Sequence, residues 1–115
     1  MTDIFVFGSN TEGRHGKGAA LYARLNYGAV YGRAEGLQGA SYAIITKELR
    51  NGYPKITVED IERGVERLLR FAADNPEFKF NITRIGGGLA GFDFQREIEP
   101  LFKGMPGNCK FISEY

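Results

Sequence analysis

Apolar positions along this chain follow two periods. Consecutive apolar residues at Ile4–Phe7, and again through Ser41–Thr46, predict short strands buried on both faces. The first strand takes in Asp3 to Phe7, and a turn is expected at Gly8-Ser9-Asn10. Phe78, Phe80 and Ile82 alternate with Lys79 and Asn81 and lead on to Ile85, which predicts a third strand with one face less buried. Cys109–Ser113 reads as a fourth.

Helical spacing fills the intervals. Residues 18–26 are rich in helix formers, with Leu21 and Leu25 four apart on one face and Gly18 one turn before them. A longer helix opens at Thr57, where Asp60 stands three residues on, as in a capping box. Val58, Ile61, Val65, Leu68, Leu69 and Ala72 form its apolar stripe, and Asn75-Pro76 ends it. Gly64 lies near that stripe. Glycine there costs about 1 kcal/mol against alanine, so close packing on a sheet is its expected reason. The polar face of this helix sets Arg63, Arg67 and Arg70 among Glu59, Glu62 and Glu66, a solvated face of local ion pairs. Asp93 can cap a last helix with Phe94, Ile98, Leu101 and Phe102 inward and Pro100 bending it.

The order β-α-β-α-β-α-β predicts an α/β protein, a three-layer α/β/α sandwich on a mainly parallel or mixed sheet. At 115 residues the chain fits a single domain, residues 1–115. Apolar residues make up 43%, and 15 basic against 14 acidic residues leave no broad charged surface of the kind that carries nucleic-acid binding. Cys109 is the single cysteine, which excludes an internal disulfide and a thiolate metal cluster; it reads as a core residue. No apolar run is long enough to cross a membrane, and Met1-Thr2-Asp3 leads into a strand rather than a signal peptide. A cytoplasmic domain is expected, with no metal and no cofactor.

Glycine changes this picture. There are sixteen, about twice the usual share of ~7%, and most gather at residues 8–18, 28–39 and 86–91. Residues 27–40 read as a connection, in which Gly36–Gly39 could bring backbone close to the sheet or to a ligand. Lys47–Lys55 reads as a polar loop. The other two clusters each follow a strand and precede a helix. In parallel sheets ligands bind at the carboxyl ends of strands, so both clusters should meet at one edge. Gln38, Thr46 and Lys47 are candidates to approach it. Glycine lets backbone N–H groups close on an anion, and a helix N-terminus adds unpaired donors. The first loop is not a Walker loop, since Gly16-Lys17-Gly18-Ala19 lacks the Lys followed by Ser or Thr, and it does not meet the dinucleotide G-x-G-x-x-G pattern.

Val6-Phe-Gly-Ser-Asn10, followed after four positions by His15-Gly-Lys-Gly-Ala-Ala20, resembles the macrodomain signature. Gly86-Gly-Gly-Leu-Ala-Gly91 is similar to that family's second phosphate loop, and the chain resembles short bacterial and phage macro-like proteins. The resemblance implies a macrodomain-like fold with a pocket for ADP-ribose or a related nucleotide diphosphate. It implies that Gly8, Ser9 and Asn10 end the strand at the ligand, with Asn10 on the distal ribose. Gly16, Lys17 and Gly18 would line one side of the diphosphate. Gly86, Gly87, Gly88, Leu89, Ala90 and Gly91 would line the other, with Phe92 flanking the ribose. His15 would stand near the distal ribose, and Asn10 and His15 are the candidate catalytic pair of an ADP-ribosyl hydrolase. The implied partner is a small nucleotide, free or carried on an ADP-ribosylated macromolecule. Lys17 interrupts the family's run of glycines, and Ala19 and Ala20 stand where one hydrolase class carries an acid. These departures put binding ahead of catalysis. A non-enzymatic interaction domain, with both loops as plain turns, is the third reading.

Overall fold

The computed structural model describes residues 2–113. Five strands form one sheet: β1 (Thr2–Asn10), β2 (Gly36–Gln38), β3 (Ser41–Lys47), β4 (Phe78–Ile82) and β5 (Cys109–Phe111), in the order β2-β3-β1-β4-β5. β1 is central and parallel to β3 and β4, and β5 is parallel to β4. Only β2 runs antiparallel, paired with β3 at the edge. Two α-helices, α1 (Gly18–Asn26) and α2 (Val58–Asp74), lie on opposite faces of the sheet.

Strand alternation sorts the core. Ile4 and Val6 of β1, with Ile44, Phe80 and Ile82, face α2 and bury its Ile61, Val65, Leu68 and Ala72. Phe5 and Phe7 face the other way and, with Ala43, receive Ala23 of α1. α2 begins as expected, with the Asp60 N–H donating to Thr57 Oγ1 at 3.1 Å and the Thr57 N–H donating to Asp60 Oδ2 at 2.9 Å. Gly64 sits where a Cβ would meet Ile44 Cγ2 at 3.1 Å, so helix and sheet do approach closely there.

Several expectations are corrected. Gly8, Ser9 and Asn10 are not a turn: they continue β1, held by pairing with Ile44, Ile45 and Lys47 of β3. α1 spans the expected residues but does not bury its leucines. Leu25 is 70% exposed, and the inward face is the small one of Ala19, Ala20 and Ala23. Short side chains let α1 lie close on Phe5 and Phe7. The connection 27–40 contains the edge strand β2, too short and glycine-rich to show a period. β4 stops at Ile82, short of Ile85. The last helix is instead a π-turn over Phe94–Ile98 followed by a 3₁₀ turn over Glu99–Phe102. Pro100 lacks the N–H that an α-helix would need there, and the chain tightens past it. Asp93 does cap this segment, accepting the Arg96 N–H at 3.1 Å. On α2, Arg67 is not paired within the helix; it reaches Glu35 through two 2.8 Å bonds. Arg63 pairs with Asp60.

Candidate functional site

The carboxyl ends of β1, β3 and β4 open into a cleft of about 600 Å3. Its floor is Gly8, Ser9 and Asn10 with Thr46 and Thr83. One wall is Gly16–Ala20, the other Ile85, Gly86, Gly88, Leu89 and Ala90. Both glycine clusters therefore reach one edge, and Thr46 and Lys47 join them. Gln38 does not. It is buried, accepting from the Val30 N–H at 2.8 Å and donating to the carbonyls of Arg33 and Gly36, and so braces the connection.

The first wall is a row of donors. Lys17 caps α1 without a side-chain hydrogen bond, and backbone bonding resumes only where the Leu21 N–H donates to the Lys17 carbonyl. Among the described residues, no backbone carbonyl receives the N–H groups of Gly16 to Ala20. A Cβ at Gly16 would touch nothing within 4 Å, so the space over this wall is open to a ligand. Gly13 has a different purpose. With φ of 64° it closes against the connection, where a Cβ would lie 2.5 Å from the Gly32 carbonyl carbon, and its own carbonyl receives the Gly32 N–H at 2.8 Å.

The second wall is shaped similarly. Gly86 turns at φ 78° and Gly91 at 82°. The Gly87 N–H donates back to Arg84, that of Gly91 to Gly88, and that of Phe92 to Gly86. Between them, the N–H groups of Gly88, Leu89 and Ala90 receive no backbone partner among the described residues. Phe92 packs beneath the loop against the α2-side core rather than lining the cleft, and Gly87 and Gly91 also stand outside the lining. Leu89, at the tip, is 73% exposed.

Asn10 is already at work. Its Oδ1 accepts the Arg14 N–H at 2.9 Å and its Nδ2 donates to the Arg14 carbonyl at 3.0 Å. It locks residues 10–14 into a ring, leaving one N–H and one lone pair of its amide for anything in the cleft. His15 lies below the surface with no exposed area. Its Nε2 is 3.3 Å from Ser9 Oγ, and its ring meets Phe7 edge-on at 5.2 Å between centroids. Burial lowers its pKa from 6.5; Arg24 nearby adds to this, and the Arg33 backbone opposes it. The imidazole is thus held neutral, under the loop and away from the cleft lining.

Charge at the cleft has one sign. Arg14, Lys17, Lys47 and Arg84 line it, and among the described residues no carboxylate does. Arg14 is paired with Glu12 at 3.0 Å; the other three have no ion-pair partner among the described residues. The loop after β3, expected to be merely polar, is pinned over the cleft. Thr11 donates to Glu48 and accepts the Leu49 N–H at 3.0 Å, while Arg50 forks onto Glu48 and stacks on Tyr53 at 3.9 Å. Hydrogen bonds from Arg50 and Thr11 hold the Glu48 carboxyl down at about 2. Thr11 and Glu48 were not among the sequence candidates, since nothing local marks a contact across 37 residues.

No protein-family model matches this chain, and no curated protein does. Solved structures do resemble it. One is a protein of unknown function from Bacteroides thetaiotaomicron, with a TM-score of 0.64 at 16% identity, covering 96% of this chain and 87% of that one. A second Bacteroides thetaiotaomicron protein gives a TM-score of 0.59 at 18% identity over 89% of this chain and 80% of its own. A macrodomain protein from Streptomyces coelicolor gives 0.59 at 18% identity, covering 96% of this chain and 87% of its own.

Proposed function

On the macrodomain-like fold that these likenesses show, we propose that the cleft binds ADP-ribose or a related nucleotide diphosphate. The observation that carries this reading is the pair of facing donor rows, Gly16–Ala20 and Gly88–Ala90, each left without backbone acceptors at the carboxyl edge of the sheet. A diphosphate is acceptor-only and anionic. It fits between two rows of N–H donors at a helix N-terminus, where the dipole adds to the attraction. Lys17, Lys47 and Arg84 supply the matching charge. The remaining N–H and lone pair of Asn10 suit a ribose hydroxyl, which both donates and accepts.

Binding stands ahead of hydrolysis. His15 has no exposed surface, and Ala19 and Ala20 bring no carboxylate to the start of α1. His15 supports the floor through Ser9 instead. Calorimetry with ADP-ribose, NAD and ADP tests the reading. Saturable heat with ADP-ribose, weakened by Lys17→Ala and by Arg84→Ala, is the expected result. The absence of any heat at millimolar ligand overturns it.

A further inference from the structure

The segment after β3 brings a third wall to the cleft. Loops that follow strands are ordinarily the mobile part of a fold, but this one is fixed by two side chains. The Thr11 hydroxyl donates to Glu48 Oε2 and accepts the Leu49 N–H at 3.0 Å. Glu48 Oε2 also accepts the Arg50 N–H at 2.8 Å, and the Arg50 guanidinium forks onto both carboxylate oxygens at 2.9 and 3.0 Å. Arg50 in turn lies over the ring of Tyr53. The Glu48 side chain is only 6% exposed, so the whole pin is built around a covered carboxylate.

Topology sets where this wall stands. β1 lies between β3 and β4. The two donor rows follow β1 and β4, whereas the pinned segment follows β3, across β1 from the second row. Lys47 is the register partner of Asn10, and the Thr11 N–H donates to the Lys47 carbonyl at 3.0 Å, so the pairing of β1 with β3 runs up to the pin. Both Lys47 and Leu49 line the cleft. Leu49 is half-buried and packs into neither core cluster. An apolar side chain held at a cleft instead of in a core is placed for what enters the cleft.

We propose that Leu49 sets specificity for a sugar carried on the second phosphate of the ligand, and that Thr11 is the residue that positions it. This rests on the reading of the cleft given above, with Asn10 at a ribose hydroxyl. A sugar that reaches Asn10 from a diphosphate held between the donor rows comes against Lys47 and Leu49. Leu49 covers its carbon-bound hydrogens, while its hydroxyls turn to Asn10 and to the Lys47 ammonium. Thr11 does not touch the ligand. With Glu48 it fixes the segment beforehand, which removes the ordering cost that binding would otherwise impose. A nucleoside diphosphate without the sugar ends short of this wall and gains nothing from it.

Calorimetry on the full chain compares ADP-ribose with ADP. The parent should bind ADP-ribose at least tenfold more tightly. Thr11→Val, which keeps the shape of the side chain and loses the hydroxyl, should weaken ADP-ribose at least tenfold and leave ADP within twofold of the parent. Thr11→Ser, which retains the hydroxyl, should return ADP-ribose binding to within threefold. Leu49→Ala leaves the pin intact and should show the same split between the two ligands, so it decides the matter even where Thr11→Val fails to fold. A merely structural role would weaken both ligands together. Equal losses for ADP and ADP-ribose in Leu49→Ala, no loss for either, or a parent that binds the two alike overturns the role of Leu49 and leaves the cleft reading standing. A parent that binds neither ligand at millimolar concentration overturns both.

Discussion

His15 Nε2 and Ser9 Oγ lie 3.3 Å apart at the floor of the cleft, and at 0% and 4% exposure both residues are buried. The pair joins the carboxyl end of β1 to the loop that carries the glycine-rich wall. Its chemistry is that of a buried neutral imidazole, and this has a consequence for stability.

In the unfolded chain His15 titrates near 6.5; in the folded protein burial and Arg24 push its pKa lower. Between these two values the unfolded state binds more protons. Stability from this group is therefore fully present above pH 6.5 and is lost as pH falls toward the native value. Melting temperatures between pH 7.5 and 5 should decline in the parent protein and decline less in His15→Gln, which keeps a hydrogen-bonding group beside Ser9 but does not titrate. Identical slopes in the two proteins would show that His15 is not the titrating group.

Gly13, packed on the connection, and Gly88, in the second wall, should respond in opposite ways. A Cβ at Gly13 would lie 2.5 Å from the Gly32 carbonyl carbon on a backbone of positive φ, whereas one at Gly88 would meet nothing within 4 Å. Gly13→Ala should cost on the order of 1–3 kcal/mol of stability, read by chemical denaturation. Gly88→Val should leave stability within about 0.5 kcal/mol of the parent while weakening ADP-ribose binding at least tenfold, because its side chain occupies the cleft. A Gly88→Val protein that binds as the parent does would remove the second loop from the site.

Asn108 makes a third case, outside the site. Its Nδ2 lies within 3.2 Å of three carbonyls, those of Ala72, Asn75 and Phe78, and so ties the end of α2 to the start of β4. Asn108→Ala should cost about 1–3 kcal/mol by removing the donor that these three carbonyls share. Asn108→Asp should cost more, since a carboxylate would face the same oxygens without a proton to give. Thermal unfolding of the two variants checks the order; equal stability of Asp and Asn at pH 7 would contradict it.

The sequence carried the architecture where burial was continuous or periodic. Ile4–Phe7, Ser41–Thr46 and the stripe from Val58 to Ala72 are central elements, and centrality is what produces those patterns. β2 was hidden because three residues at a sheet edge need no apolar alternation. α1 misled for the opposite reason. Its leucines suggested an inward face, but contact with Phe5 and Phe7 favours the alanines, and only the packed neighbours reveal it. The two walls of the cleft were legible because glycine is costly unless a backbone must turn or stay bare. What each residue does there was not. Asn10 spends half its amide on Arg14, His15 is sealed beneath the floor, and Thr11 with Glu48 acts across a gap in sequence that no local pattern spans.

The central position of β1 also orders events in time. It pairs with β3 across thirty-six residues, as in Phe5 with Ser41, but with β4 across seventy-six, as in Thr2 with Phe78. Closing the longer loop comes at greater entropic expense, so β3 is the readier neighbour. The wall at Gly86–Gly91 follows β4, which comes later in the chain than β3. During synthesis, then, a nascent chain that has released only its first seventy-odd residues holds one half of the clamp and nothing to close against it.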